Sequence, residues 1–214
     1  MNKAVVFDMD GILFDTERLF MAGWQMAGKA QGMEISEELL FQILGTNAAE
    51  TRAIMQQGMG DAFDYDRALE DTNSHAKAYM SRWGIPVKIG LYELLDDLDK
   101  KGYATAVATS SARPRMEYSL KDAGIMERFD VLISGDMIAR GKPEPDIFLR
   151  ACQELGVAPE DSFVLEDSKR GILASYRAGA KTIMVPDLLP PTQEERNMLY
   201  ACVPSLLSAM AVIP

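Results

Sequence analysis

Two pairs of carboxylates have the spacing that acid–base or metal chemistry requires. Asp8 and Asp10 are separated by one residue, Glu166 and Asp167 are adjacent, and each pair directly follows a short apolar run. Residues two apart in an extended chain point the same way, so Asp8 and Asp10 can face one reacting group. One would stay ionised as nucleophile or metal ligand, while the other would hold a proton and act as general acid and then as base.

Hydroxyl groups follow another apolar run. Thr109, Ser110 and Ser111 come directly after residues 105–108. In an open parallel sheet, ligands bind at the carboxyl ends of the strands, so these hydroxyls and the two carboxylate pairs are expected at one crevice.

Lys142 is the basic residue that would reach the same crevice, from the segment Gly141-Lys142-Pro143. Ionised Asp8, Glu166 and Asp167 would repel an anionic substrate such as a phosphate unless cations were present. Lys142 supplies one positive charge, and Mg²⁺, which binds carboxylates together with substrate phosphate, would supply the rest. The residues therefore predict a magnesium site.

A calcium loop is the alternative reading of the first pair. Asp8, Asp10, Gly11 and Glu17 match positions 3, 5, 6 and 12 of an EF-hand loop. Position 1 is then Val6, which has no side-chain oxygen. The segment before it is also typical of a strand where an EF-hand requires a helix, so we reject this alternative.

The elements that would position these residues alternate between strand and helix patterns. Short apolar runs bounded by turn residues predict strands at 4–7, 105–108, 131–133, 163–165 and 182–185. Helical spacing predicts helices at 91–101, 113–123, 146–155 and 169–178, with a final helix around 193–210. Such alternation favours an α/β fold with a doubly wound parallel sheet, a Rossmann-like core.

The stretch 16–82 interrupts the alternation because it contains helix patterns and no convincing strand. Helix starts are indicated by Ser36 before two glutamates and by Asn47 three residues before Glu50. We therefore expect an all-helical domain at 16–82, inserted into an α/β core formed by 1–15 and 83–214.

Four sequence motifs, in this order, resemble those of the haloacid dehalogenase superfamily. The resemblance covers nearly the whole chain, and the inserted helices resemble the helical cap of that superfamily, in its β-phosphoglucomutase and sugar-phosphate phosphatase branch. The motifs are Asp8-Met9-Asp10-Gly11, Thr109 after an apolar strand, Gly141-Lys142-Pro143-Glu144-Pro145-Asp146-Ile147-Phe148, and Leu165-Glu166-Asp167-Ser168.

The resemblance implies a role for the acidic residues. Asp8 would attack phosphorus to form an aspartyl-phosphate, and Asp10 would protonate the leaving alkoxide and then activate water. Magnesium would be held by the Asp8 side chain, the Asp10 backbone carbonyl and Asp167, with Glu166 as a ligand or a neighbour of the ligands.

The resemblance also implies how the phosphoryl group is held. Thr109, with Ser110 or Ser111 and backbone amides, would bind the phosphoryl oxygens. Lys142 would neutralise charge on the transferring group.

Within this branch, the residues favour hydrolysis of a phosphate ester. Mutases of the branch carry a histidine in the first cap helix, where this sequence has Phe20, and an arginine in a cap loop, where none occurs before Arg52. We expect a Mg²⁺-dependent phosphatase acting on a small phosphorylated metabolite, a sugar phosphate in particular. β-Phosphoglucomutase is the alternative, and a non-catalytic sugar-phosphate-binding regulator ranks below both.

Composition restricts the partners. The 214 residues include 22 Lys and Arg against 32 Asp and Glu, a net charge of −10, which disfavours non-specific nucleic-acid binding. No apolar run approaches the roughly 20 residues that span a bilayer.

Localisation is predicted from the cysteines and the first residues. With two cysteines and an early carboxylate at Asp8, we expect neither a disulfide framework nor a signal peptide, and hence a cytoplasmic protein. The oligomeric state stays open, and a monomer is compatible with these features.

Overall fold

The computed structural model describes residues 3–44, 46 and 48–214. They divide into two compact units, one formed by the chain up to Phe14 together with Val87–Pro214, the other by Asp15–Pro86. The predicted domain ranges end the helical part at residue 82, whereas the compact helical unit runs to Pro86. The role of this unit as a cap stays a prediction.

The larger unit contains a parallel sheet. Its order is β3-β2-β1-β4-β5-β6, and every neighbouring pair is parallel. The strands formed by the described residues are β1 Ala4–Phe7, β2 Ala104–Ala108, β3 Val131–Ile133, β4 Ser162–Glu166, β5 Lys181–Met184 and β6 Ala201–Cys202. The predicted Rossmann-like α/β fold is confirmed.

Helices follow the strands at nearly the predicted positions. Within the described residues they are α1 Thr16–Ala30, α2 Glu37–Ile43, α3 Ala48–Met59, α4 Tyr65–Trp83, α5 Leu91–Lys101, α6 Arg113–Asp122, α7 Asp146–Leu155, α8 Lys169–Ala178, α9 Gln193–Arg196 and α10 Leu206–Ala209. Four helices of the α/β unit, α5 to α8, connect successive strands of the sheet, which is the crossover arrangement that parallel strands require.

Strand β1 lies at the centre of the sheet. It pairs with β2 on one side and β4 on the other, and all four of its residues are fully buried. A strand covered on both faces reads as a continuous apolar run, which is why its position was predictable. The residues that follow β1 therefore emerge between the ends of two neighbouring strands.

The predicted helix at 193–210 is wrong. The structure has the short helices α9 and α10 there, with strand β6 between them. Backbone N–H groups of Tyr200 and Val203 donate to the carbonyls of Thr182 and Met184 on β5, at 2.8 and 2.9 Å. Pro204, which lacks an N–H donor, would also have interrupted a continuous helix.

The described residues of the smaller unit form helices α1 to α4. Its buried core includes Trp24, Leu40, Met55 and Ala68. The Ser36 hydroxyl accepts a hydrogen bond from the Leu39 N–H at 3.2 Å, so the predicted N-cap of α2 is confirmed. Asn47, which was predicted to begin the next helix, lies outside the described residues.

None of the helices in the described part of the chain combines the length and the apolar character needed to cross a membrane.

Candidate active site

Asp8 continues strand β1 and then the chain turns sharply. The Asp8 N–H donates to the Leu165 carbonyl of β4 at 3.0 Å, and the Asp8 side chain is buried. The turn closes through a hydrogen bond from the Gly11 N–H to the Phe14 carbonyl, at 2.9 Å. Asp10 lies within this turn and keeps 23% of its side chain exposed. The two predicted carboxylates thus differ in environment: Asp8 is buried and Asp10 is partly exposed.

Gly11 allows this turn for two reasons. Its φ of +85° is in the left-handed region that favours glycine. A Cβ at this position would also collide with the carboxylate of Asp167. The glycine therefore lets the turn after β1 lie directly against the Asp167 side chain that follows β4.

Lys142 bridges the carboxylates of Asp8 and Glu166. Its Nζ lies 2.5 Å from Oδ1 of Asp8 and 2.6 Å from Oε1 of Glu166. All three residues are buried. Their proximity makes a charged cluster at the carboxyl ends of β1 and β4.

Burial and charge act in opposite directions on these groups. Burial raises the pKa of Asp8; Lys142 opposes the rise and Glu166 adds to it. Burial alone would lower the pKa of Lys142, but the Asp8 and Glu166 carboxylates raise it above the ordinary lysine value. The two carboxylates therefore favour the charged form of Lys142, and the cluster contains more carboxylate groups than ammonium groups.

Both oxygens of Glu166 have hydrogen-bond donors. While Oε1 faces Lys142, Oε2 accepts from the backbone N–H groups of Asp167 and Ser168, both at 2.9 Å, and from the Ser168 hydroxyl at 3.0 Å. Gly171, in the first turn of α8, leaves room for this carboxylate, because a Cβ there would collide with it. Glu166 is thus fixed between Lys142 and the start of α8.

The cluster suits an oxygen-preferring divalent cation. One carboxylate oxygen from each of Asp8, Glu166 and Asp167 lies within 4.8 Å of the others. Lys142 balances one of these charges, so a net negative charge remains for a cation. Both Glu166 oxygens accept hydrogen bonds from the protein, so Glu166 would approach a cation as a carboxylate already fixed by its donors.

Asp10 is held by residues that follow β2. The Ser111 hydroxyl donates to Oδ2 of Asp10 at 3.1 Å, and Nη2 of Arg115 donates to Oδ1 at 2.7 Å. Arg115 was not among the predicted site residues. A signal was available: Arg115 lies in the first turn of α6, and first turns of helices that follow parallel strands lie at the ligand-binding edge.

The predicted hydroxyl segment forms a tight turn at the same edge. The Thr109 N–H donates to the Ile133 carbonyl at 3.0 Å, and its hydroxyl accepts from the Ser111 N–H, also at 3.0 Å. Thr109 is buried, whereas Ser110 is exposed. A Cβ at Gly135 would collide with the Ser110 carbonyl, so the turn packs closely against the chain after β3.

The backbone around Lys142 is held by arginines of α8. Nε and Nη2 of Arg170 donate to the Lys142 carbonyl at 3.1 and 2.8 Å. Nη1 of Arg177 donates to the Pro143 carbonyl at 3.0 Å. Neither arginine was among the predicted site residues, because neither belongs to a motif after a strand.

The chain resembles known phosphatases over most of its length. It is 30% identical over 181 residues to the phosphorylated carbohydrates phosphatase of Thermotoga maritima, covering 85% of this chain and 83% of that one. It is 33% identical over 184 residues to hexitol phosphatase A of Escherichia coli K12, covering 86% and 82%.

A solved structure has the same fold. The crystal structure of a HAD family hydrolase from Deinococcus radiodurans R1, with bound phosphate and sodium, superimposes with a TM-score of 0.84 at 27% identity, covering 99% of this chain and 95% of that one. The family model for haloacid dehalogenase-like hydrolases matches residues 5–185, from strand β1 through β5. With this match and these relatives, the chain belongs to the haloacid dehalogenase-like hydrolase family.

Proposed function

We propose that this protein hydrolyses a phosphate ester of a small sugar-like metabolite through an aspartyl-phosphate on Asp8, with Mg²⁺ as cofactor. The observation that carries the proposal is the buried Lys142 ammonium between Asp8 and Glu166, with Asp10 two residues along the chain. Membership of the family and the phosphatase relatives support a phosphatase activity.

The first step transfers the phosphoryl group to the enzyme. A carboxylate oxygen of Asp8 attacks phosphorus, the bond from phosphorus to the ester oxygen breaks, and that oxygen receives a proton from Asp10. Asp10 suits this role because its side chain is partly exposed, so a leaving group can reach it. The products of the step are the free alcohol and the phosphorylated Asp8.

The second step releases phosphate. Asp10, now deprotonated, accepts a proton from a water molecule, whose oxygen attacks the phosphorus on Asp8. The bond between phosphorus and the Asp8 oxygen breaks, which regenerates the carboxylate and frees inorganic phosphate. Asp10 thus ends the cycle protonated, as it began.

Charge on the transferring group would be balanced by cations. An ammonium has three N–H donors, and Lys142 directs two of them at Asp8 and Glu166, so the third suits a phosphoryl oxygen. Magnesium, held by Asp8, Asp167 and the Asp10 carbonyl, would offset the remaining negative charge and polarise the phosphoryl oxygens.

The hydroxyl turn would bind the other phosphoryl oxygens. Thr109 is buried directly after β2, and Ser110 is exposed in the same turn. Thr109 would therefore contact the more deeply bound phosphoryl oxygens and Ser110 those nearer the surface. The Ser111 hydroxyl has a single proton, which it donates to Asp10, so Ser111 would bind a phosphoryl oxygen only in exchange for that hydrogen bond. The backbone N–H of Ser110 would add a further donor, whereas the N–H groups of Thr109 and Ser111 already donate within the protein.

Hydrolysis is favoured over mutase chemistry by the helical unit. The position where mutases of this branch carry histidine is Phe20, on α1. Arg52 forms an ion pair with Asp66 and stacks on the Tyr65 ring, which commits its guanidinium to contacts inside the helical unit. Relatives described as carbohydrate and hexitol phosphatases support a phosphorylated sugar or sugar alcohol as substrate.

The test is phosphate release from a panel of sugar and sugar-alcohol phosphates, with Mg²⁺ and with a chelator. Asp8→Asn should lower kcat by about a thousandfold or more, since it removes the nucleophile. The matched control is Asp61→Asn, an exposed aspartate of the helical unit, which should keep wild-type activity. Full activity in Asp8→Asn would refute the nucleophile. Conversion of β-glucose 1-phosphate to glucose 6-phosphate faster than phosphate release would establish a mutase instead.

A further inference from the structure

The Asp10 carboxylate has one charged and one neutral partner within the α/β unit, Arg115 and Ser111. Nη2 of Arg115 lies 2.7 Å from Oδ1, while the Ser111 hydroxyl donates to Oδ2 at 3.1 Å. Each oxygen therefore has its own donor, and both donors come from the segment between β2 and the first turn of α6. With both oxygens held, rotation of the carboxylate about its side-chain bonds is restricted.

We propose that Arg115 is a positioning residue that holds the Asp10 carboxylate in the orientation needed for proton exchange with the leaving group. The proposal rests on the proposed function, in which Asp10 is the acid and base. Arg115 acts through Asp10 and needs no contact with substrate.

The location of Arg115 supports this role over a purely structural one. Its side chain is 47% exposed, and an ion pair this exposed contributes little to folding stability. The charge-assisted hydrogen bond from Nη2 of Arg115 to Oδ1 of Asp10 is nevertheless directional, and a helix turn is a more rigid support than a loop. The contact with Arg115 therefore orients the Asp10 carboxylate and contributes little to the folding stability of the protein.

Orientation of a general acid has a specific kinetic signature. An alkoxide needs a proton to leave, whereas p-nitrophenolate leaves without one at neutral pH. The value of kcat/KM reports the steps up to departure of the leaving group, so misplacing the acid lowers kcat/KM for an alkyl phosphate more than for p-nitrophenyl phosphate. A general folding defect would lower both equally.

The experiment measures the ratio of kcat/KM for glucose 6-phosphate to kcat/KM for p-nitrophenyl phosphate. Arg115→Met should lower this ratio by roughly tenfold, a part of the hundredfold or more that a general acid contributes. Arg115→Lys, which keeps the charge with a single donor group, should recover part of the loss. The matched control is Arg150→Met on α7, whose guanidinium pairs with Glu154, and its ratio should equal that of wild type.

A double variant shows whether Arg115 acts through Asp10. Asp10→Asn alone should lower the ratio at least as far as Arg115→Met, and adding Arg115→Met to Asp10→Asn should lower it no further. An unchanged ratio in Arg115→Met, or an additional loss in the double variant, overturns the positioning role.

The same measurements separate this inference from the proposed function. If Asp10→Asn leaves the ratio unchanged, the acid role of Asp10 fails, and the positioning role fails with it. If Asp10→Asn lowers the ratio and Arg115→Met does not, only the positioning role fails. Equal melting temperatures of Arg115→Met and Arg150→Met would confirm that the comparison is between folded proteins.

Discussion

Gly11 lies directly against the carboxylate of Asp167, which brings the turn after β1 into contact with the turn after β4. A Cβ at residue 11 would collide with the Asp167 side chain. The two residues are far apart in sequence, but β1 and β4 are neighbours in the sheet. A single missing side chain therefore permits two of the acidic segments to share one site.

Gly11→Ala should lose activity, because the new methyl group must displace Asp167. The matched control is Gly179→Ala, at a φ of +81° close to the +85° of Gly11, with no atom within 4 Å of the added Cβ. Both variants should lose about 1–2 kcal/mol of stability from the left-handed backbone. Only Gly11→Ala should also lose about tenfold or more in phosphate release, a loss of more than about 1.4 kcal/mol in transition-state stabilisation. Equal activities in the two variants would contradict the role of the contact.

Lys142→Met should destabilise the protein in a pH-dependent way, because it leaves the buried Asp8 carboxylate without its ammonium partner. Breaking a buried pair by removing one member costs about 3–5 kcal/mol. Burial raises the pKa of Asp8 in the folded state, and removing the ammonium that opposes this rise would raise the pKa further. Stability in the variant is therefore greatest at low pH and is lost as pH rises through that folded pKa.

Urea unfolding in a chelator, at about pH 5 and about pH 8, measures this difference. The loss relative to wild type should be larger at the higher pH. Lys121→Met is the control. Lys121 is exposed, and its ion pair with Glu117, at 3.6 Å, is screened by solvent. This variant should therefore show little loss of stability at either pH. A pH-independent loss in Lys142→Met would mean that packing, rather than charge, is responsible.

The sheet was predictable from sequence because its strands are buried on both faces. Residues 4–7 and 163–165 are continuous apolar runs, which burial on two sides demands and which stand out against the polar turns. Polar residues that follow such runs emerge at one edge. That argument alone identified Asp8, Glu166 and Thr109 as neighbours in the fold.

Strand β6 and the two supporting arginines were not predictable in the same way. The two residues of β6 form a strand because the edge of β5 offers unpaired backbone groups, a cause outside the segment itself. Arg115 and Arg170 receive their roles from the positions of helix starts relative to distant carboxylate and carbonyl oxygens. Local sequence does not encode such distances.

Mg²⁺ should stabilise the free protein, because a ligand that binds only the folded state adds RT ln(1 + [L]/Kd), about 2.7 kcal/mol at a hundredfold excess over Kd. Asp167→Asn should abolish most of the rise in melting temperature that Mg²⁺ produces, since it removes one of the three carboxylates of the cluster. Asp61→Asn should keep the full rise. A full rise in Asp167→Asn would exclude Asp167 as a ligand.

Arg170→Met should lower kcat through the backbone of Lys142. Two N–H groups of Arg170 hold the Lys142 carbonyl, and each hydrogen bond of this kind contributes about 1 kcal/mol. Their loss would let the lysine shift relative to Asp8, and small displacements of a charged group lower its stabilisation of a transition state.

Arg177→Met is the matched control, because Arg177 lies on the same helix and holds the neighbouring carbonyl of Pro143. We expect kcat to fall about tenfold in Arg170→Met and by less in Arg177→Met, since only the first contact reaches the residue that pairs with Asp8. Equal losses in both variants would instead assign the effect to the whole segment around residue 143.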